Sequence, residues 1–127
     1  MIDLPAILED LPLAVWVGKV PDGTTAYSNR ACAQILGRPL GDPLPIAEHA
    51  AAYGLVTRDG KPYPVDQTPF ARVVRTAGPV MVDDMMLRRR DGDVYIRAFA
   101  SPAVDARGVM TDVIVAFLDI SNEIAAQ

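Results

Sequence analysis

The chain has 127 residues, half of them apolar and 22% charged, with a net charge of −4 at neutral pH. That is one domain with a single core, about two-thirds of whose surface can be buried on folding. It has no room for two lobes around a cleft, offers phosphates no dense basic face, and with one cysteine and one histidine builds neither a disulfide nor a structural zinc site.

Residues 4–10 read as a short helix with Pro5 in its first turn, an N-terminal cap over residues 1–12. Leu13–Val20 is β-branched and apolar, a buried strand, and Thr24–Tyr27 returns after the Pro21-Asp22-Gly23 turn. Asn29 suits a helix cap, with Ala31, Ile35 and Leu36 on one face and Gly37 as the stop. Residues 38–65 hold five prolines (39, 43, 45, 62 and 64) and resist assignment beyond a helical turn or two around Ile46–Ala52. Asp66 is expected to cap a helix in which Phe70, Val73, Val74 and Ala77 recur at i, i+3, i+4 and i+7, ended by Gly78-Pro79.

Three strands follow, Val80–Arg90, Val94–Val104 and Val109–Ile120, joined by the tight Asp91-Gly92 and by Asp105–Gly108. Short loops between adjacent apolar strands mean antiparallel neighbours. The whole order is satisfied by an α+β fold: one five-stranded antiparallel sheet with the helices packed on one face. No run of about 18 apolar residues occurs, nor a basic N-terminus leading into an apolar stretch. The segment itself therefore reads as soluble and cytoplasmic, without membrane contact, whatever a longer parent does.

That order, with these turns, resembles a PAS domain. Trp16-Val17 followed by Asp22-Gly23 and Tyr27-Ser28-Asn29 is similar to the family's first hairpin running into the asparagine that opens its first core helix. Ile35-Leu36-Gly37 is similar to that helix's ending. Asp59-Gly60-Lys61-Pro62-Tyr63-Pro64, then Pro69-Phe70 and Gly78, is similar to the subgroup found in bacterial sensor kinases. Arg90-Asp91-Gly92, Ser101-Pro102, Gly108 and Asp119-Ile120-Ser121 are similar to the meander and its Asp-Ile-Thr exit signature, serine replacing threonine but keeping the hydroxyl.

The resemblance runs over residues 6–121. It implies a PAS core at 13–121 behind a flanking N-terminal helix, with 122–127 opening an exit segment. It further implies a sensory or regulatory module without enzymatic activity, which binds a small ligand or partner. Such a module relays the signal to an effector, for example the histidine kinase of a two-component system, in the same or another chain. Homodimerisation through the N-terminal helix and the outer sheet face belongs to the same pattern.

By the same resemblance Ile96, Ala98 and Ala100 face inward, beside Val113, Val115 and Phe117 of the last strand and Met85 and Leu87 of the first meander strand. Ile35, Phe70, Val73 and Val74 would roof them. The two alanines leave room for a ligand. The alternative is a pure dimerisation module whose core is filled by its own side chains, and the near absence of converging polar groups favours that filling.

No cofactor is identified. Flavin-binding relatives hold the ring with amides where this chain has Leu87, Ile96 and Phe117, and Cys32 lies in an earlier helix than their reactive cysteine, reading as a small buried hydrophobe. Haem would need His49, which precedes the helix that carries the ligand in haem-binding relatives. His49 reads as a surface or partly buried histidine. A small α+β enzyme using His49 as a base is the third reading, with no nucleophile or carboxylate in register beside it. Asp83 and Asp84 diverge on a strand, so they cannot share a metal.

Tyr95, Arg97, Phe99 and Ser101 alternate with the inner set and so face outward, as do Ile114, Ala116 and Leu118. A broad apolar face requires cover, from the helix around Pro5–Leu11 or from a second protomer. Asp119, Ile120 and Ser121 end the sheet and form the signal exit, with Ser121 or Asn122 expected to cap the helix beyond.

Overall fold

The computed structural model describes residues 9–37 and 43–126. In chain order they form β1 (Ala14–Lys19), β2 (Thr25–Ser28), α1 (Arg30–Leu36), a 3-10 turn at Ile46–Glu48 running into α2 (His49–Tyr53), and β3 (Leu55–Val56). A second 3-10 turn at Val65–Gln67 leads to α3 (Pro69–Thr76), then β4 (Val80–Arg89), β5 (Gly92–Val104), β6 (Met110–Asp119) and α4 (Ser121–Ala125). Apart from Glu9 and Asp10, the helix expected over residues 4–10 lies outside the described residues.

The strands make one antiparallel sheet in the order β2-β1-β6-β5-β4-β3. It has six strands, not five: Leu55 and Val56 pair with Leu87 and Met86 at the β4 edge. A two-residue strand has no alternation to read, and this one is bracketed by proline-rich sequence. Its place is set by backbone bonds, with Arg88 N–H donating to Gly54 O at 2.8 Å and Tyr63 N–H to Leu55 O at 3.0 Å. The hairpin into β5 pairs Arg89 with Gly92, so Arg90-Asp91 is the turn and β5 begins two residues before the expected Val94.

Asn29 joins sheet to helix. Its Oδ1 accepts from Cys32 N–H (3.1 Å), capping α1, and from Val15 N–H of β1 (2.9 Å), while Nδ2 donates to Leu13 O (2.8 Å). Burying this amide is tolerable because both ends are satisfied. The cap of α3 is Thr68, not Asp66: Thr68 Oγ1 accepts from Ala71 N–H at 3.2 Å, and Pro69 follows in the first turn. Asp66 sits within the preceding 3-10 turn. The helix ends on Ala77, at φ 58°, one residue before the glycine expected to stop it.

α1 packs on β1, and α3 packs across β4, β5 and β6. Leu87, Ile96, Val73, Val113 and Cys32 are the deepest large side chains of the core between them. On β4 the register breaks between Val82 and Met85, a bulge at Asp83-Asp84 that leaves both carboxylates exposed. After it Met85 and Leu87 join the core while Met86, with Val56 and Ile120, is buried apart from the main cluster. These three share the outer face by alternation.

Candidate functional site

A cavity of about 80 Å³ lies between the inner sheet face and the helices. Ala98 helps to open it: the residue stands in register between Phe117 of β6 and Val82 of β4. Of the twelve inner-wall residues expected, Phe70, Met85, Leu87, Ile96, Ala98, Val115 and Phe117 line the cavity, while Ala100 is buried in the core beyond it. Val73 and Val113 are buried elsewhere in the core, and Ile35 packs half-buried against it. Val74 is 37% exposed on α3. With Phe70 and Val73 sealed against the sheet, Val74, about 100° further round the helix than Val73, lies at the outer edge of the apolar stripe.

The rest of the wall comes from Trp16, Cys32, Leu36, Ile46, His49, Tyr53, Leu55, Thr68 and Pro69. The indole of Trp16 lies over Gly18, where a Cβ would collide with it, and its Nε1–H donates to Thr25 Oγ1 at 2.8 Å. Four rings interlock edge to face: Trp16 with His49 at 5.2 Å and 82°, Trp16 with Phe70 at 6.0 Å and 77°, and His49 with Tyr53 at 5.2 Å and 78°. Among the described residues no Asp, Glu, Lys or Arg lines the cavity.

His49 is 6% exposed, a buried residue and not a surface one. Its Nε2 lies 2.9 Å from Leu44 O, and because a carbonyl only accepts, Nε2 carries the proton. Burial holds the imidazole below its ordinary pKa of 6.5, partly offset by the Leu44 bond and by Glu48. Burial likewise pushes the Cys32 thiol up to about 12, so it stays protonated and is no nucleophile at neutral pH. Among the described residues no three His, Cys, Asp or Glu side chains group to hold a metal, and no helix is long and apolar enough to cross a membrane.

On the opposite face Phe99, Ile114 and Leu118 are 47%, 43% and 39% exposed. Tyr95 is half-buried with the Arg58 guanidinium 5.0 Å above its ring. The exit is tied to β5. Ile120 N–H donates to Tyr95 O (2.8 Å), Tyr95 N–H donates to Ser121 Oγ (3.1 Å), and Ser121 N–H donates to Asp119 Oδ1 (2.9 Å). Arg97 grips Glu123 of α4 through both guanidinium nitrogens, at 3.2 and 2.6 Å. Ser121 therefore does not cap α4; the cap position is Ile120, which has no side-chain bond to give, and the hydroxyl serves the sheet.

No protein-family model and no curated protein sequence matches the chain. Solved structures do. An RNA-binding light-oxygen-voltage receptor aligns with 95% of this chain at TM-score 0.68 and 21% identity, and the PAS domain of Bordetella pertussis BvgS with 97% at TM-score 0.62 and 15% identity. The Vibrio cholerae VqmA dimer, determined in the absence of its target DNA, aligns with 96% at TM-score 0.66 and 17% identity. The chain has the PAS fold. It spans 34% of the light-oxygen-voltage receptor, 54% of VqmA and 86% of the BvgS domain chain.

Within the PAS fold this cavity is small. Pockets for drug-sized ligands enclose about 300–1,000 Å³, so a flavin or a haem would require this cavity of about 80 Å³ to open further. The donor set agrees, since Leu87, Ile96 and Phe117 carry no amide for a flavin edge. The His49 Nε2 that would face a haem iron is spent on Leu44 O.

Proposed function

We propose that this PAS domain is a sensory module that takes a small molecule into the inner cavity. It would relay the binding through β5 and α4 to an effector, such as a histidine kinase, in the same or another chain. The observation that carries the reading is the alternation on β5. Ile96 and Ala98 line the cavity, while on the same strand the Tyr95 backbone N–H donates to Ser121 and the outward Arg97 side chain pairs with Glu123. A ligand that prefers one position of β5 biases the exit helix by its differential affinity for the two states.

The cavity also favours this reading over an enzyme using His49. The ring is packed against Trp16 and Tyr53; among the described residues no carboxylate lines the space beside it, the Cys32 thiol on the wall stays protonated and the Thr68 hydroxyl proton is given to Val65 O. Against a wholly self-filled core stands the open volume itself. Native mass spectrometry of the purified chain, followed by amide hydrogen exchange with and without the retained or screened molecule, tests the proposal. Binding that slows exchange in β5 and alters it in α4 supports the relay. A bound molecule that leaves α4 unchanged overturns it.

Dimerisation is part of the reading. Phe99, Ile114 and Leu118 form an uncharged apolar group on the outer face, suited to a second copy of the same surface, and the fold neighbour VqmA is a dimer. Phe99→Lys should shift the chain toward monomer in sedimentation velocity without unfolding it. A chain that is already monomeric at high concentration would sink this part.

A further inference from the structure

The cavity sets three conditions on its occupant. The first is size: at about 10–15 Å³ per water-sized sphere, about 80 Å³ holds roughly half a dozen waters or one small ring. The second is charge. With no Asp, Glu, Lys or Arg among the described wall residues, an ion would lose its hydration with no opposite charge there to replace it. The third is shape. Trp16, His49, Tyr53 and Phe70 stand near-perpendicular to one another and present both faces and edges, the arrangement in which an added aromatic ring finds favourable contacts.

The polar inventory is equally narrow. Thr68 Oγ1 donates to Val65 O at 2.8 Å and accepts from Ala71 N–H, so its proton is spent and only a lone pair remains. Cys32 offers a weak thiol donor. His49 donates through Nε2 to Leu44, which leaves Nδ1 of the neutral ring as an acceptor without a partner. Among the described residues no sealed nitrogen or oxygen lacks a bond, so Nδ1 keeps contact with open space. The ring is 6% exposed and lines the cavity, and we take the cavity to be the space that Nδ1 faces.

We propose that the cavity selects an uncharged single-ring molecule bearing a hydrogen-bond donor, a ring hydroxyl or ring N–H, which donates to Nδ1 of His49. This rests on the cavity being the module's input. Thr68 is a further acceptor on the wall, where Tyr53 also brings a hydroxyl, and the aliphatic floor of Ile96, Ala98 and Val115 takes the apolar edge.

Calorimetric titration of the full 127-residue chain with phenol, benzene and benzoate as probes tests this. Phenol should bind several-fold to about tenfold more tightly than benzene, the worth of one neutral hydrogen bond, and benzoate should not bind. His49→Phe should bring phenol down to benzene, whereas His49→Gln, which keeps an acceptor oxygen, should retain part of the preference. Equal binding of phenol and benzene, or a preference that survives His49→Phe, overturns the assignment to His49. Benzoate binding, or a retained molecule that is charged or larger than one ring, overturns the ligand class and leaves the sensory reading standing. Should no probe bind and no molecule be retained, both fall.

Discussion

The two faces of the central strands are built from similar residues and end in opposite states. Ile96, Ala98, Val113 and Val115 are sealed, whereas Phe99, Ile114 and Leu118, at alternate positions of the same two strands, are 39–47% exposed. Hydrophobicity does not separate the two sets, because both are apolar. What separates them is cover: the inner face has α1, α2 and α3 above it, while the described cover of the outer face is the exit helix at its β4–β5 end. An apolar residue identifies a face that needs a partner, and only the packing says whether the partner belongs to the same chain.

The sharpest test of that contrast is a pair of truncations. Leu87→Ala, at 1% exposure, should cost about 2–5 kcal/mol in urea unfolding. Leu118→Ala, at 39%, should stay within about 0.5 kcal/mol. Comparable losses would break the contrast and mean that the outer face is core to an obligate assembly. The second test lies where the faces meet. Ser121→Ala removes the acceptor of Tyr95 N–H and should cost about 0.5–1.5 kcal/mol, with faster hydrogen exchange at Tyr95 and through α4. Unchanged exchange there would detach the exit from β5.

The smallest effect is titration. Because burial holds native His49 below 6.5, the unfolded chain binds more protons beneath that pH. Stability should therefore fall as pH drops from 6.5 toward the native value, then level off with respect to this group. Glu123, held low by Arg97, responds only below the ordinary carboxylate range. Melting temperatures from pH 7 to pH 5 should decline less in His49→Phe than in the parent chain; parallel declines would mean that His49 is not the inner-face group responsible.

Much of the fold was legible, for reasons particular residues make plain. The meander was readable because β5 alternates without interruption and its loops contain Gly92 and Gly108. Asn29 was readable as a cap because few residues serve that role, though nothing local announced its second bond to Val15. The sixth strand was not, since two residues between prolines show no period. The cap of α3 was misassigned because Asp66 and Thr68 are both good capping residues, and the choice fell to a 3-10 turn that no local propensity specifies.

The cavity was half legible. Strand alternation pointed to Met85, Leu87, Ile96, Ala98, Val115 and Phe117, while Ile46, His49 and Tyr53 come from the stretch whose five prolines obscure any helical repeat. The Gly18 beneath Trp16 was a usable signal: a glycine two residues along an otherwise β-branched strand marks where a large side chain folds flat against the backbone.

The alternation of β5 has a consequence for how such a module can be altered. The residues that touch the cavity and those that hold the exit are interleaved and not shared, about 3.3 Å of chain separating one from the next. Ile96 and Ala98 can be exchanged to suit a different occupant while Tyr95 and Arg97 keep the same grip on Ser121 and Glu123. Of the two exit contacts only the Arg97–Glu123 pair depends on a β5 side chain; the Tyr95–Ser121 bond is made by backbone and survives exchange of the ring. On the reading proposed above, the cavity lining can thus be changed at alternate positions of one strand while the contacts from that strand to α4 stay in place.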